Sequence, residues 1–408
     1  MQARETKRSA KKREIILDAA ASHFNRKGVR GATLTEIAAS VGLVTNSITY
    51  YYRKKEDLAA ACLVRTIDVV KQLIAEAVLE ATPEDRLRTL LRLYANRLAA
   101  GASGSLSSIM SFNDIRALAS PHAETVFEEY NLMFRQLREL FRDLPHELSR
   151  PEQNARTHLL LSILHAAQEW LNYYETEDYL HTAERIGDVV IRGLGGVGLK
   201  WDAARDIVLL PEAEGDPARA AFLRASTRLI NDQGYRGASV EKISAELNVT
   251  KGSFYHHIES KDELIVDCFE RSFHVLRSAQ NAAFSSPGTG LDRLVSVTGR
   301  LIAYQLSADG PLLRISAFNA LPENLREEMK HTMERLSRRF SEFVVDGMID
   351  GSIRIMDPAV AAFLLNSMIN ATIEVEWWVA GASPEEITGF YATPLFTGIF
   401  ANPAISPR

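Results

Sequence analysis

Apolar side chains recur at spacings of three and four residues along most of this chain, and no stretch sustains an alternation of apolar and polar positions. That period predicts an all-α protein, with roughly nine helices in each half. Ile15, Ile16, Ala19, Ala20 and Phe24 share one face of the first helix. Arg26 and Lys27 fall in its last turn, and Gly28 supplies the left-handed residue that stops it. A second helix starts at Thr33, whose hydroxyl and the Glu36 carboxylate form a capping box; Leu34, Ile37, Ala38 and Val41 line its inner face. Gly42 then suits a tight turn into a short third helix. Farther on, Thr82-Pro83-Glu84-Asp85, Asp357-Pro358 and Ser383-Pro384-Glu385-Glu386 read as helix starts.

The same pattern returns 206 residues later. Phe222, Ala225, Leu229 and Ile230 make the apolar face, Gly234 ends the helix, Ser239 caps the next and Asn248 takes the turn. Gly28, Arg30, Gly31 and Ala32 match Gly234, Arg236, Gly237 and Ala238. Ile37, Ala39, Ser47, Lys55, Leu58 and Cys62 match Ile243, Ala245, Ser253, Lys261, Leu264 and Cys268. Phe112-Asn113 falls on Phe318-Asn319, and Glu169-Trp170 on Glu376-Trp377 at an offset of 207. The chain is a tandem duplication. Gly193, Gly195, Gly196 and Gly198 close the first copy, and Pro211 to Pro217 reads as an exposed linker. The expected division is 10–70 and 216–276 for two small helical heads, 71–198 and 277–408 for two larger helical bodies, and 199–215 for the linker.

Charge changes this picture. The 408 residues carry a net −5, which alone disfavours nucleic acid. Residues 1–58, however, hold 12 Lys and Arg against 6 Asp and Glu, residues 216–264 balance at 7 against 7, and the remainder is strongly acidic. A basic head on an acidic body is the asymmetry of a protein that meets phosphate at one end, or of one with a solvated basic tail. No apolar run reaches membrane-spanning length and the N-terminus lacks a signal-peptide core, so a cytoplasmic location is expected. Two cysteines make neither a disulfide framework nor a metal site, and neither a metal nor another cofactor is expected. No nucleophile elbow, phosphate loop or HExxH motif points to an enzyme.

The third helix of each head has an inward face and a polar outward one. In the second copy Phe254 and Ile258 point inward, leaving Thr250, Lys251, Ser253, Tyr255 and His256 outward. A helix, a tight turn and a short polar-faced helix make a helix-turn-helix unit, here spanning 33–52 and 239–258. The run from Val249 to Leu264, with the preceding Gly234 to Ala245, resembles the signature of the TetR/AcrR repressors. The resemblance implies that Thr33 and Ser239 open the second helices. It also implies that Thr250 caps the recognition helix and touches phosphate, that Lys251, Gly252, Ser253 and His256 approach bases, and that Tyr255 and Lys261 hold the DNA backbone. The first head departs from this pattern, since Val44, Thr45, Asn46 and Thr49 stand where the second has Thr250, Lys251, Gly252 and Tyr255. Valine caps poorly, so that helix is expected to start one residue later, at Thr45. Its candidates are Thr45, Asn46, Ser47, Thr49, Tyr50, Tyr51 and Lys55, with Asn46 suited to adenine. The basic stretch Lys7, Arg8, Lys11, Lys12 and Arg13 is either a DNA-reaching arm or a plain tail.

The resemblance further implies an effector pocket in each body and a four-helix bundle built from the last two helices of each subunit. Phe112, Asn113, His165, Phe318, Asn319 and Trp377 are the pocket candidates, with an interface or capping role open for each. Leu159–Trp170 with Ile186–Leu194, and Ala359–Trp378 with Ile387–Phe400, are the bundle candidates. Cys62 and Cys268 read as small buried residues or as a redox pair. The expected partners are a double-stranded DNA operator and a small-molecule effector, with the chain acting as a single-chain pseudo-dimer or a homodimer. The competing reading is a sensor or adaptor in which only the second head reads DNA.

Overall fold

The computed structural model describes residues 7–118, 120–195, 216–258, 260–321 and 323–402. The first head comprises α1 (Lys7–Gly31), α2 (Leu34–Ser40) and α3 (Thr45–Thr49). The first body comprises α4 (Lys55–Ala77), α5 (Pro83–Ala102), α6 (His122–Leu137), α7 (Arg150–Trp170) and α8 (Tyr179–Arg192). The second head follows as α9 (Pro217–Gly237), α10 (Val240–Glu246) and α11 (Lys251–His257). The second body holds α12 (Lys261–Phe284), α13 (Gly290–Leu306), α14 (Glu323–Asp350), α15 (Pro358–Ala371), α16 (Val375–Trp378) and α17 (Pro384–Thr397). Among the described residues there is no strand, only an isolated bridge between Gly195 and Ile353. The linker expected over 199–215, together with Gly196 and Gly198, lies outside the described residues.

The local signals act as expected. Gly28 and Gly234 interrupt their helices at φ 68° and 70°, and the turns hold Gly42 at φ 65° and Asn248 at φ 54°. The Glu36 amide donates to Thr33 Oγ1 (3.2 Å) while Glu36 Oε2 accepts from the Thr33 amide (3.1 Å), completing the capping box. The basic stretch is neither free arm nor tail from residue 7 onward, because it forms the first turns of α1. There Arg13 Nε donates to the buried Tyr52 hydroxyl (3.0 Å).

The duplicated register shifts inside the bodies. Asn25 on α1 donates to the Ile109 carbonyl and accepts from the Ser111 amide, and Thr66 on α4 accepts from the Met110 amide. The counterparts Asn231 and Ser272 make the same bonds to Leu312, Arg314 and Leu313, at an offset of 203. The buried positions of α6 with the 3-10 turn after it (Arg138–Phe141), and of α14, keep that offset: Val126, Met133, Leu137 and Leu140 answer to Met329, Leu336, Phe340 and Phe343. Phe112-Asn113 and Phe318-Asn319 are therefore not equivalent. Phe112 opens the 3-10 turn Phe112–Ala117, whereas Phe318 is the fourth residue of Ile315–Ala320. The physical cause is a shorter connection in the second copy, 23 residues from the Thr289 cap to Leu312 against 27 from Thr82 to Ile109.

The two copies meet through their last helices, as α7 and α8 pack on α15 and α17. The ends of α8 and α17 approach so closely that their backbones bond: the Leu194 and Gly195 amides donate to Leu395 and Phe396 carbonyls, and the Ile399 amide to Val190. Gly193 and Gly398 permit this, since a Cβ at either would lie 2.4 and 2.3 Å from the Phe396 and Ile191 carbonyl oxygens. Arg156, 2% exposed, donates to the Ile399 and Ala401 carbonyls (2.7 and 2.8 Å). Arg354 reaches Asp188 (2.7 Å) and the Gly193 carbonyl (2.9 Å), and Arg185 pairs with Asp357 (2.6 Å). Among the described residues no helix is long and apolar enough to cross a membrane.

Candidate nucleic-acid interface and effector cavity

In the second head, Thr250 caps α11 by accepting from the Ser253 amide (3.2 Å), and Ser239 caps α10 by accepting from the Lys242 amide (3.3 Å). Phe254 and Ile258 are buried beneath, with Phe254 edge-on to Phe222 at 5.7 Å. This leaves Lys251, Gly252, Tyr255 and His256 exposed along one face and Ser253 half-buried beside them. Lys251 pairs with Glu241 of α10, and that contact holds the Glu241 carboxyl down at about 2. Lys261 sits over the Tyr235 ring (4.5 Å), whose hydroxyl donates to Asp262 (2.6 Å).

The first head keeps this frame with different contents. Its third helix starts at Thr45, the residue expected, which is level with the Lys251 start of its counterpart and not one residue later. Val44 occupies the cap position without a side-chain bond and is 69% exposed, while Thr45 begins the helix and donates to Thr35 Oγ1 (3.3 Å). The buried Ile48 fixes the register from below, which is why losing the cap does not move the helix. Asn46 and Tyr50 are exposed, Ser47 and Thr49 half-buried. Tyr51 accepts from Ser9 (3.2 Å), and Lys55 donates to the Ala32 carbonyl (2.9 Å), so both are engaged within the head.

The pocket candidates separate. Phe318 lines an atom-free space of about 390 Å³, part of it open to solvent, in the second body. Its wall combines α12, the segment Leu312–Phe318, α14 and α15. Phe112 and His165 instead pack on each other in the first body (4.6 Å). Asn113 is exposed and donates to Glu169 (2.8 Å), Trp377 is 72% exposed, and the Asn319 side chain lies outside what the structure describes. His158 bridges the copies, its Nδ1 2.7 Å from the Tyr391 hydroxyl. Asn25, Asn231, Thr66 and Ser272, none of them marked by the local sequence pattern, clip each head to its body. An Asn at the same place in both copies was the available signal. Cys62 and Cys268 are buried and free, and burial pushes both thiols up to about 12, the condition of inert packing residues. Among the described residues no group of three His, Cys, Asp or Glu is placed to hold a metal.

Burial holds the His165 imidazole neutral, with its pKa lowered to about 4. Between about pH 6.5 and 4 the unfolded chain binds this proton and the folded one does not. The group therefore costs nothing above about 6.5, and as pH falls through that window it removes up to about 3 kcal/mol of stability. Melting temperature is expected to drop between pH 7 and 5, and to drop measurably less in His165→Phe. An equal pH slope in both would exclude this group as the source.

Two helix-turn-helix heads on helical bodies define a DNA-binding regulator. Residues 16–62 and 222–268 each match the bacterial regulatory proteins of the tetR family, and residues 287–399 match a tetracyclin repressor-like C-terminal domain. The chain belongs to the TetR family, with two family subunits in tandem. It is 25% identical over 164 residues to the HTH-type transcriptional repressor DhaR of Mycobacterium sp. (strain GP1), covering 39% of this chain and 83% of DhaR. It is 24% identical over 146 residues to the transposon Tn10 TetC protein of Escherichia coli, covering 36% and 73%. Among solved structures, apo AibR aligns at 21% identity and TM-score 0.37 over 44% of this chain and 99% of AibR. The regulator PfmR from Thermus thermophilus aligns at 19% and 0.36, over 43% and 97%.

Proposed function

We propose that this chain is a transcriptional repressor that binds an asymmetric operator as a single-chain pseudo-dimer and releases it when a small molecule enters a body cavity. The intramolecular bundle of α7 and α8 with α15 and α17 carries this reading, because one chain already supplies the contact that the last helices of two subunits make. DhaR is a repressor, which supports repression as the sign of control. The outward residues Lys251, Gly252, Ser253 and His256 would read one half-site, with Thr250, Tyr255 and Lys261 on its phosphates. Thr45, Asn46, Ser47, Thr49 and Tyr50 would read a different one. Tyr51 and Lys55 are left to orient the first head, as their hydrogen bonds favour.

Effector control has a mechanical basis. Asn231 of α9 and Ser272 of α12 bond the backbone of Leu312, Leu313 and Arg314, and Leu312, Leu313 and Ser272 also line the cavity. A ligand that displaces this wall would act directly on the head, and differential affinity for two head positions is what coupling requires. Footprinting upstream of the gene, with solution mass measured on the same sample, tests the proposal. One chain on a non-palindromic site is the expected result, and a palindromic footprint from two chains would refute it.

Releasing Lys251 offers a sharper check on the second head. Glu241→Gln frees the ammonium and removes a negative charge beside the groove. Operator affinity is expected to rise about two- to fivefold at low salt, the range of an exposed ion pair. Gel shifts across salt concentrations read this, and unchanged or weakened binding would take Lys251 out of the interface.

A further inference from the structure

The two bodies share a fold but not an interior. In the second, Ile315 and Met333 line the cavity, Asn366 and Asn370 stand one turn apart on α15, and Ser337 lies behind the wall, accepting from the Asn366 amide (3.1 Å). In the register set by the clamped backbone, the first body places Phe112, Tyr130 and Phe134 at the positions of Ile315, Met333 and Ser337. In the Glu-Trp register, Leu159 and Ile163 replace the two asparagines. The first interior is thus bulkier and less polar. It is also entered by the other copy. Trp378 of α16 stacks on Phe134 (4.0 Å) and on His158 (5.3 Å), and its carbonyl accepts from Asn154 (3.1 Å).

We infer that only the second body takes effector, one molecule per chain, and that the first body is closed by the Trp378 indole of its own second half. This rests on the effector reading above and adds the ligand's class. None of the residues lining the cavity is charged, so the entering part of the ligand is neutral. The Asn366 and Asn370 amide nitrogens donate to carbonyls of α15 (2.9 Å each), and no donor among the described residues reaches their Oδ1 atoms. The ligand is a small, mainly apolar molecule carrying a hydroxyl or N–H donor for those two oxygens. Part of the space of about 390 Å³ is open solvent and the room free for a guest as it stands is only about 30 Å³, so binding requires the wall from Leu312 to Phe318 to move aside.

The test uses full-length protein without DNA and 4-(trifluoromethyl)benzyl alcohol as a neutral probe, followed by fluorine NMR. The expected stoichiometry is one per chain. Asn370→Leu should weaken it at least tenfold, and the double change Met333→Tyr with Ser337→Phe should abolish it, with thermal melts confirming that each variant folds. Trp378→Ala should open the first body and raise the stoichiometry to two. Two molecules bound by the unaltered chain, one molecule insensitive to Asn370→Leu, or no binding at all would overturn the inference. Operator binding, measured separately without probe, tells failure here from failure of the repressor reading.

Discussion

Gly398→Val is expected to destabilise the chain by more than about 3 kcal/mol and to weaken operator binding with it. Two independent effects add at this position. Gly398 sits at φ 103°, where a β-branched residue is strained, and its new Cβ would lie 2.3 Å from the Ile191 carbonyl oxygen. Backbone on backbone cannot yield as a side chain can, so the ends of α8 and α17 must part. That separation breaks the bonds from Ile399 to Val190 and from Leu194 to Leu395, and it strips Arg156 of the Ile399 carbonyl. Burial already lowers the Arg156 pKa to about 10, and a guanidinium that loses one of its two carbonyl partners there is costly. Gly389 provides the control within the same helix, because nothing lies within 4 Å of a Cβ placed there. Gly389→Ala should be neutral or slightly stabilising through helix propensity. Urea unfolding of both variants decides the matter, and equal midpoints would show that the close approach of the two copies contributes little.

The same contact explains how two unlike heads answer together. Each head hangs on one long helix, α4 or α12, and on one asparagine clip, Asn25 or Asn231. Each head also reaches the turn that follows the other copy's gripped segment, since α9 packs against Phe112–Ala117 and α1 against Ile315–Ala320. Arg314, clipped by Asn231 through its amide, pairs through its side chain with Glu374, and His158 of the first copy lies 3.6 Å from the same carboxylate. A shift at the second cavity therefore has a bonded route to the inter-copy bundle as well as to its own head.

The heads were legible in the sequence because their signals are local. Thr33 with Glu36, Gly42, Asn248 and the alternating faces of α11 each act within a few residues, and all of them adopt the geometry their chemistry implies. Val44 marks the limit of local reasoning. The helix begins at Thr45 as expected, but this is level with Lys251 of the second copy and not a delay, because buried Ile48 outweighs the missing cap. The bodies were legible as bundle material and no further. Which Trp enters the first body depends on packing between residues more than two hundred positions apart, so Trp377 and Trp378 look alike in sequence although one is largely exposed and the other stacks on Phe134. The Phe-Asn recurrence misled for a related reason. A constant offset says nothing of loops that shorten between fixed points, and the hydrogen bonds of Asn231 and Ser272 set the true register.

Removing the outward contacts of one head at a time should split the operator into two unlike halves. Lys251→Ala with Tyr255→Ala takes a cation and an exposed aromatic (56% exposed) from α11, and is expected to cost about 3 kcal/mol, roughly a hundredfold in affinity. The salt dependence should flatten as well, because one cation in the phosphate field of the groove is gone. Asn46→Ala with Tyr50→Ala does the equivalent in α3, where Tyr50 is 81% exposed, but removes no charge. Its expected effect is about 2 kcal/mol, with the salt slope unchanged and base preference relaxed over one half-site only. All four substituted side chains are exposed, and although Tyr255 meets the Phe254 ring edge-on (5.3 Å), Phe254 and Ile48 themselves stay buried and unchanged, so the heads should fold as before. Footprints of the two variants should lose protection at opposite ends of the site. If the Asn46 and Tyr50 pair changes neither affinity nor footprint, the first head does not read DNA, and the chain is a regulator with a single reading head.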